Sequence, residues 1–241
     1  MYLYQPIDGY CYNSDTHILF DFIQENLHEC LNPHGDMLDI GSGSGILGLL
    51  LAKEFKKINL FQCEIQKEMV FFSNHNSKIN NISNTMFEGD FLKMDFNQEF
   101  DIIVSNPPFY HKDVNKSTNE NINFARYNNH LPLEDFILKI SKIIAQKGKL
   151  FFCYDAKQLQ EIIILLNRFH FGIEALKFVY PKDSKNANLV LISARRNSKS
   201  LMKVQSPIIM FDNDKFNDKI TQLYKKIDTH SIKAQIDKEF L

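Results

Sequence analysis

The sequence predicts an α/β fold, a seven-stranded, mostly parallel sheet that ends in an antiparallel hairpin and carries helices on both faces. Three observations predict it. From Asp36 onward, short apolar runs alternate with stretches of helical periodicity, as βαβ units do. Alternating glycines, Gly41, Gly43 and Gly45, follow directly on the first of those runs and lead into a helix. The last two runs are joined by a polar loop too short for a crossover helix, so they must pair antiparallel.

The elements follow in order. Ser14 or Asp15 can cap a first helix with the apolar face Ile18, Leu19, Phe22, Ile23 and Leu27. Parallel strands are expected at Met37 to Ile40, Ile58 to Cys63, Thr85 to Phe87, Phe100 to Val104 and Lys149 to Tyr154. Crossover helices fall at Ile46 to Phe55, Lys67 to Ile79 and Leu133 to Ala145, the last with Pro132 where helix starts tolerate proline. A helix over Lys157 to Phe169 precedes the hairpin strands Gly172 to Tyr180 and Leu189 to Ala194, and Lys215 to Ile227 reads as a charged amphipathic helix. The polar stretch 111–130 reads as a long loop, a feature often tied to function. This divides the chain into an N-terminal segment and helix (1–35), a central domain (36–204) and a C-terminal extension (205–241).

Composition narrows the classes. With 44% hydrophobic and 24% charged residues the chain is not disordered throughout, and no stretch approaches the roughly 18 apolar residues of a membrane span. A cytoplasmic location is expected, and a monomer is favoured. Four scattered cysteines form no Cys-x-x-Cys pair, so neither a metal site nor a disulfide framework is signalled. The net charge of −1 argues against a protein that coats nucleic acid. Locally, however, Lys177, Lys182, Lys185, Arg195, Arg196, Lys199 and Lys203 are opposed by Asp183 alone, and a polyanion can dock on such a segment.

The segment Leu38-Asp39-Ile40-Gly41-Ser42-Gly43-Ser44-Gly45 joins strand to helix and brings backbone close to a ligand. Gly43, Gly45 and Gly48 also match the G-x-G-x-x-G of dinucleotide sites. Electrostatics separates the two readings. A pyrophosphate at this turn would meet the carboxylate of Asp39, whereas S-adenosylmethionine offers an ammonium group for that acid. Glu64, with Ile65 beside it, ends the second strand and can accept from ribose hydroxyls. Asp90 can accept from the adenine amino group while the Phe91 backbone contacts the ring. A five-strand parallel sheet closed by a hairpin suits a methyltransferase better than a dinucleotide fold, which normally continues βαβ to its sixth strand.

The most specific feature is Ser105-Asn106-Pro107-Pro108-Phe109-Tyr110, after the strand beside the glycine loop. An aromatic amine or amide nitrogen has its lone pair delocalised and is a poor nucleophile. Two fixed acceptors, the Asn106 side-chain oxygen and the Pro107 carbonyl, can each take one of its N–H groups and favour tetrahedral geometry. Proline restricts its own φ and its predecessor, which holds the acceptors still. Phe109 offers a stacking face for a planar target. The chemistry needs no metal.

These residues resemble class I methyltransferases with an Asn-Pro-Pro-aromatic motif, which act on adenine N6, guanine N2 or glutamine nitrogen. The chain is more narrowly similar to the tRNA adenine-N6 methyltransferases that modify the adenosine 3′ of the anticodon in valine tRNA. That likeness includes Tyr12-Asn13-Ser14-Asp15, the glycine loop, Asn106 to Tyr110, Ala125-Arg126-Tyr127 and the late basic hairpin, whereas Tyr4 to Tyr10 is only loosely alike. It implies S-adenosylmethionine held by Asp39, Gly41, Ser42, Gly43, Gly45, Glu64, Ile65, Asp90, Phe91 and Asn106, and a base held by Asn106, Pro107, Pro108 and Phe109. It further implies tRNA contacts from Tyr110, Arg126, Lys182, Lys185, Arg195 and Arg196, and Asp15 near the methionine end of the cofactor. Two alternatives use the same Asn106 site. A glutamine-N5 enzyme usually carries a separate N-terminal helical domain to hold its protein partner, whereas about 35 residues precede the first strand here. A guanine-N2 rRNA enzyme typically follows the phenylalanine with histidine, where this chain has Tyr110.

Overall fold

The computed structural model describes residues 1–7, 11–29, 33–108 and 131–236. Strand β1 (Tyr2–Pro6) and helix α1 (Ser14–His28) lead into β2 (Gly35–Ile40), α2 (Ile46–Glu54), β3 (Ile58–Glu64), α3 (Lys67–Ile79), β4 (Asn84–Glu88) and β5 (Phe100–Ser105). After the undescribed 109–130 come α4 (Leu133–Ile143), β6 (Ile144–Asp155), α5 (Leu159–Arg168) and the hairpin of β7 (Phe171–Tyr180) and β8 (Leu189–Arg196). The order across the sheet is β4-β3-β2-β5-β6-β8-β7, with β2 to β6 parallel and β8 antiparallel to both its neighbours. This is the expected α/β architecture. Among the described residues no helix is long and apolar enough to cross a membrane.

The strands are buried on both faces, as parallel strands under crossover helices must be. Because side chains alternate, β2 sends Met37 to one face and Leu38 and Ile40 to the other. The first face packs with Ile102, Val104, Phe151, Cys153 and Leu191 against α1 and α2. The second, with Ile103, Phe152, Tyr154 and Ile192, packs against α4 and α5. Helix α2 is buried at every position from Ile46 to Leu51, as its unbroken apolar sequence requires.

Three boundaries differ from expectation. The cap of α1 is Asn13, whose Oδ1 accepts from the Asp15 amide at 3.1 Å, rather than Ser14 or Asp15. Ile144 and Ala145 already belong to β6, where the β-branched side chain of Ile144 suits an extended backbone. The C-terminal helix α6 begins only at Asp218, capped by Asn217, while Lys215 and Phe216 form a small hairpin (β12) with Phe211 and Asp212 (β11). The sheet also runs past position 204, since β9 (Lys203–Val204) and β10 (Ile208–Ile209) both add to the free edge of β7.

The termini meet in a ribbon that periodicity does not reveal. Strand β13 (His230–Ala234) pairs in parallel with β1, in register from Tyr2↔His230 to Pro6↔Ala234. The other edge of β1 is satisfied by side chains. Asn76 accepts from the Tyr4 amide (2.7 Å) and donates to the Tyr4 carbonyl (2.9 Å), and Asn80 does the same for Tyr2 (3.2 and 2.7 Å). Four residues of helix advance about 6 Å and two residues of strand about 6.5 Å, so amides four apart on α3 can serve alternate residues of a strand. Asn76 also donates to the Ser44 carbonyl at 2.9 Å, which ties the ribbon to the glycine loop.

Asn76→Ala should leave three buried or half-buried backbone groups unpaired and lower stability by about 1–3 kcal/mol in urea unfolding. Asn80→Ala, whose bonds to Tyr2 are exposed, should cost clearly less; equal effects would show that the ribbon does not depend on Asn76.

Candidate cofactor and active site

The candidate cofactor residues and Asn106 to Pro108 sit at the carboxyl edge of the sheet. The chain reverses its build direction between β2 and β5, and such a switch point leaves a crevice where open α/β sheets hold ligands. Ser105, fully buried, bridges it by donating its hydroxyl to the Ile40 carbonyl at 2.8 Å, so the start of the Asn106 turn is tied to the start of the glycine loop.

Two adjoining chambers open there. The first is lined by Ile40, Gly41, Gly43, Cys63, Glu64, Ile65, Gln66, Met69, Gly89, Asp90, Phe91, Asn106, Pro108 and Leu131. The second is lined by Tyr12, Thr16, Asp39, Gly41, Ser42, Gly43, Ser44, Ile46, Leu47 and Asn106. Gly41, Gly43 and Asn106 belong to both and mark the junction. Gly41 and Gly43 have positive φ (66° and 54°) with open space where a Cβ would stand, so both the turn and the room beside it depend on glycine. Gly45 is needed differently: a Cβ there would lie 2.5 Å from Ser73 Oγ.

The loop is held by buried acceptors. Glu64 accepts from the amides of Gly43, Ile65 and Gln66, each at 2.9 Å. A carboxylate has about four lone-pair sites, so one remains for a ligand hydroxyl while those three bonds persist. Burial raises the Glu64 pKa, offset by the three amides. Asp39 Oδ2 accepts from the Gly48 amide at 2.9 Å. Burial pushes the Asp39 carboxyl from its ordinary 3.8 up to about 7, with the Gly48 amide and Gln62 acting against the rise. Asp90 accepts from the Leu92 amide at 3.0 Å and pairs with Lys93 at 3.3 Å, while keeping a place in the first chamber. Ile65, 41% exposed, is an apolar wall of that chamber.

The structure therefore brings together Asp39, Gly41, Ser42, Gly43, Glu64, Ile65, Asp90, Phe91, Asn106 and Pro108 in one crevice, with Gly45 capping α2 behind it and Pro107 buried beneath. Phe109, Tyr110, Arg126 and the 111–130 loop lie outside the described residues. Asp15 lines neither chamber. It accepts from Asn13 Nδ2 at 2.9 Å and faces a separate groove, and its neighbours Tyr12 and Thr16 occupy the second chamber instead.

The basic hairpin divides in two. Lys182 and Lys185 lie in the β7–β8 turn, at the same end of the sheet as Asn106. Arg195 and Arg196 do not. Antiparallel register sets Leu189 against Asp155 but Arg195 against Lys149, six residues or about 20 Å back from the site edge. Arg195 is held by Glu174 at 2.7 Å and Arg196 donates to the Ile144 carbonyl at 2.9 Å, so both are engaged within the sheet, away from the site edge. The density of positive charge in sequence concealed this, because the acidic partner of Arg195 lies on the neighbouring strand and Arg196 is taken up by a backbone carbonyl.

The sheet order, hairpin and paired chambers define a class I methyltransferase domain. The family model described as methyltransferase small domain matches residues 14–169, and the chain belongs to that family. A release factor glutamine methyltransferase of Flavobacterium psychrophilum is 32% identical over 64% of this chain, which spans 58% of that relative's length. A tRNA1(Val) (adenine(37)-N6)-methyltransferase of the same organism is 26% identical over 67% of this chain and 71% of its own. Among solved structures, one titled as a predicted O-methyltransferase from Agrobacterium tumefaciens shares the fold, with a TM-score of 0.66, 17% identity, and coverage of 91% of this chain and all of the other.

The methyl donor is S-adenosylmethionine, and the residues fit it. Ser42 Oγ is buried with no partner among the described residues and faces the second chamber, where Asp39 supplies an acid for a cation. The first chamber offers the apolar walls and acidic rim that a nucleoside needs.

A raised folded-state pKa on Asp39 means that the ligand-free protein loses stability as pH rises from about 4 through 7, and that a bound ammonium group drives off the proton. Cofactor affinity should accordingly weaken below pH 7, by up to about tenfold per unit. Calorimetry between pH 5.5 and 8 checks this, with Asp39→Asn flattening the profile. A flat profile in the unmodified chain would remove the cation from Asp39.

Proposed function

We propose that this chain transfers a methyl group from S-adenosylmethionine to the exocyclic N6 of an adenine in tRNA, at the adenosine 3′ of the anticodon. The observation that carries the reading is the position of Asn106, at the junction of the two chambers and on the turn after β5. The bound cofactor supplies an electrophilic methyl group on a good leaving group. Asn106 Oδ1 and the Pro107 carbonyl accept from the target amine, weaken its conjugation with the ring, and stabilise the positive charge as it develops. Both prolines keep these acceptors from turning away. The surplus proton leaves after transfer.

The choice of tRNA draws on the adenine-N6 relative, which this chain covers more fully than it covers the glutamine enzyme. A groove beside the site supports a nucleic-acid partner. It is lined by Lys157, Lys185, Asn186 and Asn188 together with Asp15 and Asp155, and lies at the site end of β6 and β8. Phosphates need such cationic and amide donors. A second reading, transfer to a glutamine side chain of a protein, is favoured by the 32% identity to the release factor enzyme and uses the same acceptors.

Incubation with labelled S-adenosylmethionine and total tRNA, followed by digestion to nucleosides, should yield labelled N6-methyladenosine. Label in release factor glutamine instead would establish the second reading. Asn106→Ala should abolish turnover and leave cofactor affinity nearly unchanged. Lys157→Ala and Lys185→Ala should each lower the salt slope of tRNA binding by about one, whereas Arg195→Ala should leave it unaltered.

A further inference from the structure

Asn106 is flanked by two side chains that the sequence motif does not contain. Its Nδ2 donates to Thr16 Oγ1 at 3.1 Å, and the thiol of Cys153 donates to its Oδ1 at 3.0 Å. Thr16 stands in the first turn of α1, held by the Asn13 cap. Cys153 follows Phe152, the β6 partner of Ser105, so register places its side chain beside the residue after Ser105. Both are buried, Thr16 at 4% exposure and Cys153 at none.

A primary amide has nearly the same shape when rotated by half a turn, so packing alone does not decide which end carries oxygen. Its neighbours do. In the observed orientation the thiol, a donor, meets oxygen, and the threonine hydroxyl accepts from nitrogen. Rotated, the amide nitrogen would face sulfur, a weak acceptor, and one good hydrogen bond would be lost. Burial holds the Cys153 thiol well above its ordinary pKa, which keeps the S–H in place at any working pH.

We propose that Cys153 and Thr16 are positioning residues that fix the Asn106 amide with its oxygen available to the N–H of the methyl acceptor. The inference rests on the reading of Asn106 as an acceptor. An amide has two N–H groups and two oxygen lone pairs. Thr16 takes one N–H and Cys153 fills one lone pair, so a single oxygen lone pair is left for one N–H of the target. The motif supplies the amide, and α1 and β6 supply its orientation.

The test uses the full chain with Cys153→Ala, Cys153→Ser, Thr16→Val, Thr16→Ser and Asn106→Ala. Sinefungin carries an amine in place of the S-methyl group and so offers N–H donors where transfer occurs; S-adenosylhomocysteine offers none. The ratio of their affinities by calorimetry reads the acceptor without any methyl-accepting substrate. Cys153→Ala and Thr16→Val should lower the ratio about tenfold, as Asn106→Ala does, and the two serine variants should recover most of the loss. Cys153→Ala in an Asn106→Ala background should add no further loss. On an active substrate the same variants should lower kcat with KM little changed. An unchanged ratio in folded Cys153→Ala and Thr16→Val overturns the proposal, as does an equal loss for both ligands, which is the mark of a cavity alone. Should Cys153→Ala not fold, Thr16→Val and the serine variants decide by the same ratio. If the ratio follows the expected pattern while no RNA is methylated, the tRNA reading fails and the positioning role stands.

Discussion

The hydrogen bonds from the glycine-loop amides to buried acceptors are the interactions on which the rest of the site depends. Gly43 donates to Glu64, Gly48 donates to Asp39, and the amides of Gly41 and Ser42 donate to the Cys63 carbonyl. A tight turn with several positive-φ residues has little intrinsic preference for one conformation, so acceptors supplied from β2 and β3 must select it. The cost is two carboxylates removed from water, visible as the raised pKa values of Asp39 and Glu64. A folded chain retains such a cost where it shapes a binding site, and here the same acids line the chambers they help to form.

From that loop a polar network reaches outward through the helices. Ser73 donates to Gln62 at 3.0 Å, Gln62 donates to the Gly45 carbonyl at 3.3 Å, and Asn76 joins Ser44 to β1. The terminal ribbon of β1 and β13 is therefore coupled to the cofactor edge through side-chain amides rather than through the sheet. On the opposite flank, Tyr12 just before the α1 cap and Thr16 in its first turn line the second chamber, and α1 packs against α6, with His17 bonded to Thr229. Burial lowers the His17 pKa to about 4, so this joint stays uncharged at neutral pH. The N-terminal helix thus belongs to the site as well as to the core.

Much of this was legible in the residues. The central strands and crossover helices fall where apolar periodicity places them, because burial on both faces imposes a pattern that a single chain must display. The glycine loop, Glu64, Asp90 and Asn106 could be assigned to one crevice since parallel strands bring successive carboxyl ends to the same edge. The terminal strands escaped notice because five residues carry too little periodicity, with three buried side chains in β1 and none fully buried in β13. The surroundings of Arg195 were hidden because a charge is seen in sequence without its partner, and Glu174 is a neighbour only once β7 and β8 have paired.

By itself, the sequence determined the fold class and the chemical types at the carboxyl edge. Both follow from local order: alternation fixes the strands, and motif residues adjoin strand ends whatever the remainder of the chain does. Tertiary structure alone decided which charges are consumed inside the sheet, which side chains hold the glycine loop, and how Asn106 is oriented. Those outcomes depend on contacts such as Thr16 with Asn106 and Cys153 with Asn106, between residues 90 and 47 positions apart, and no local pattern encodes a partner at that separation.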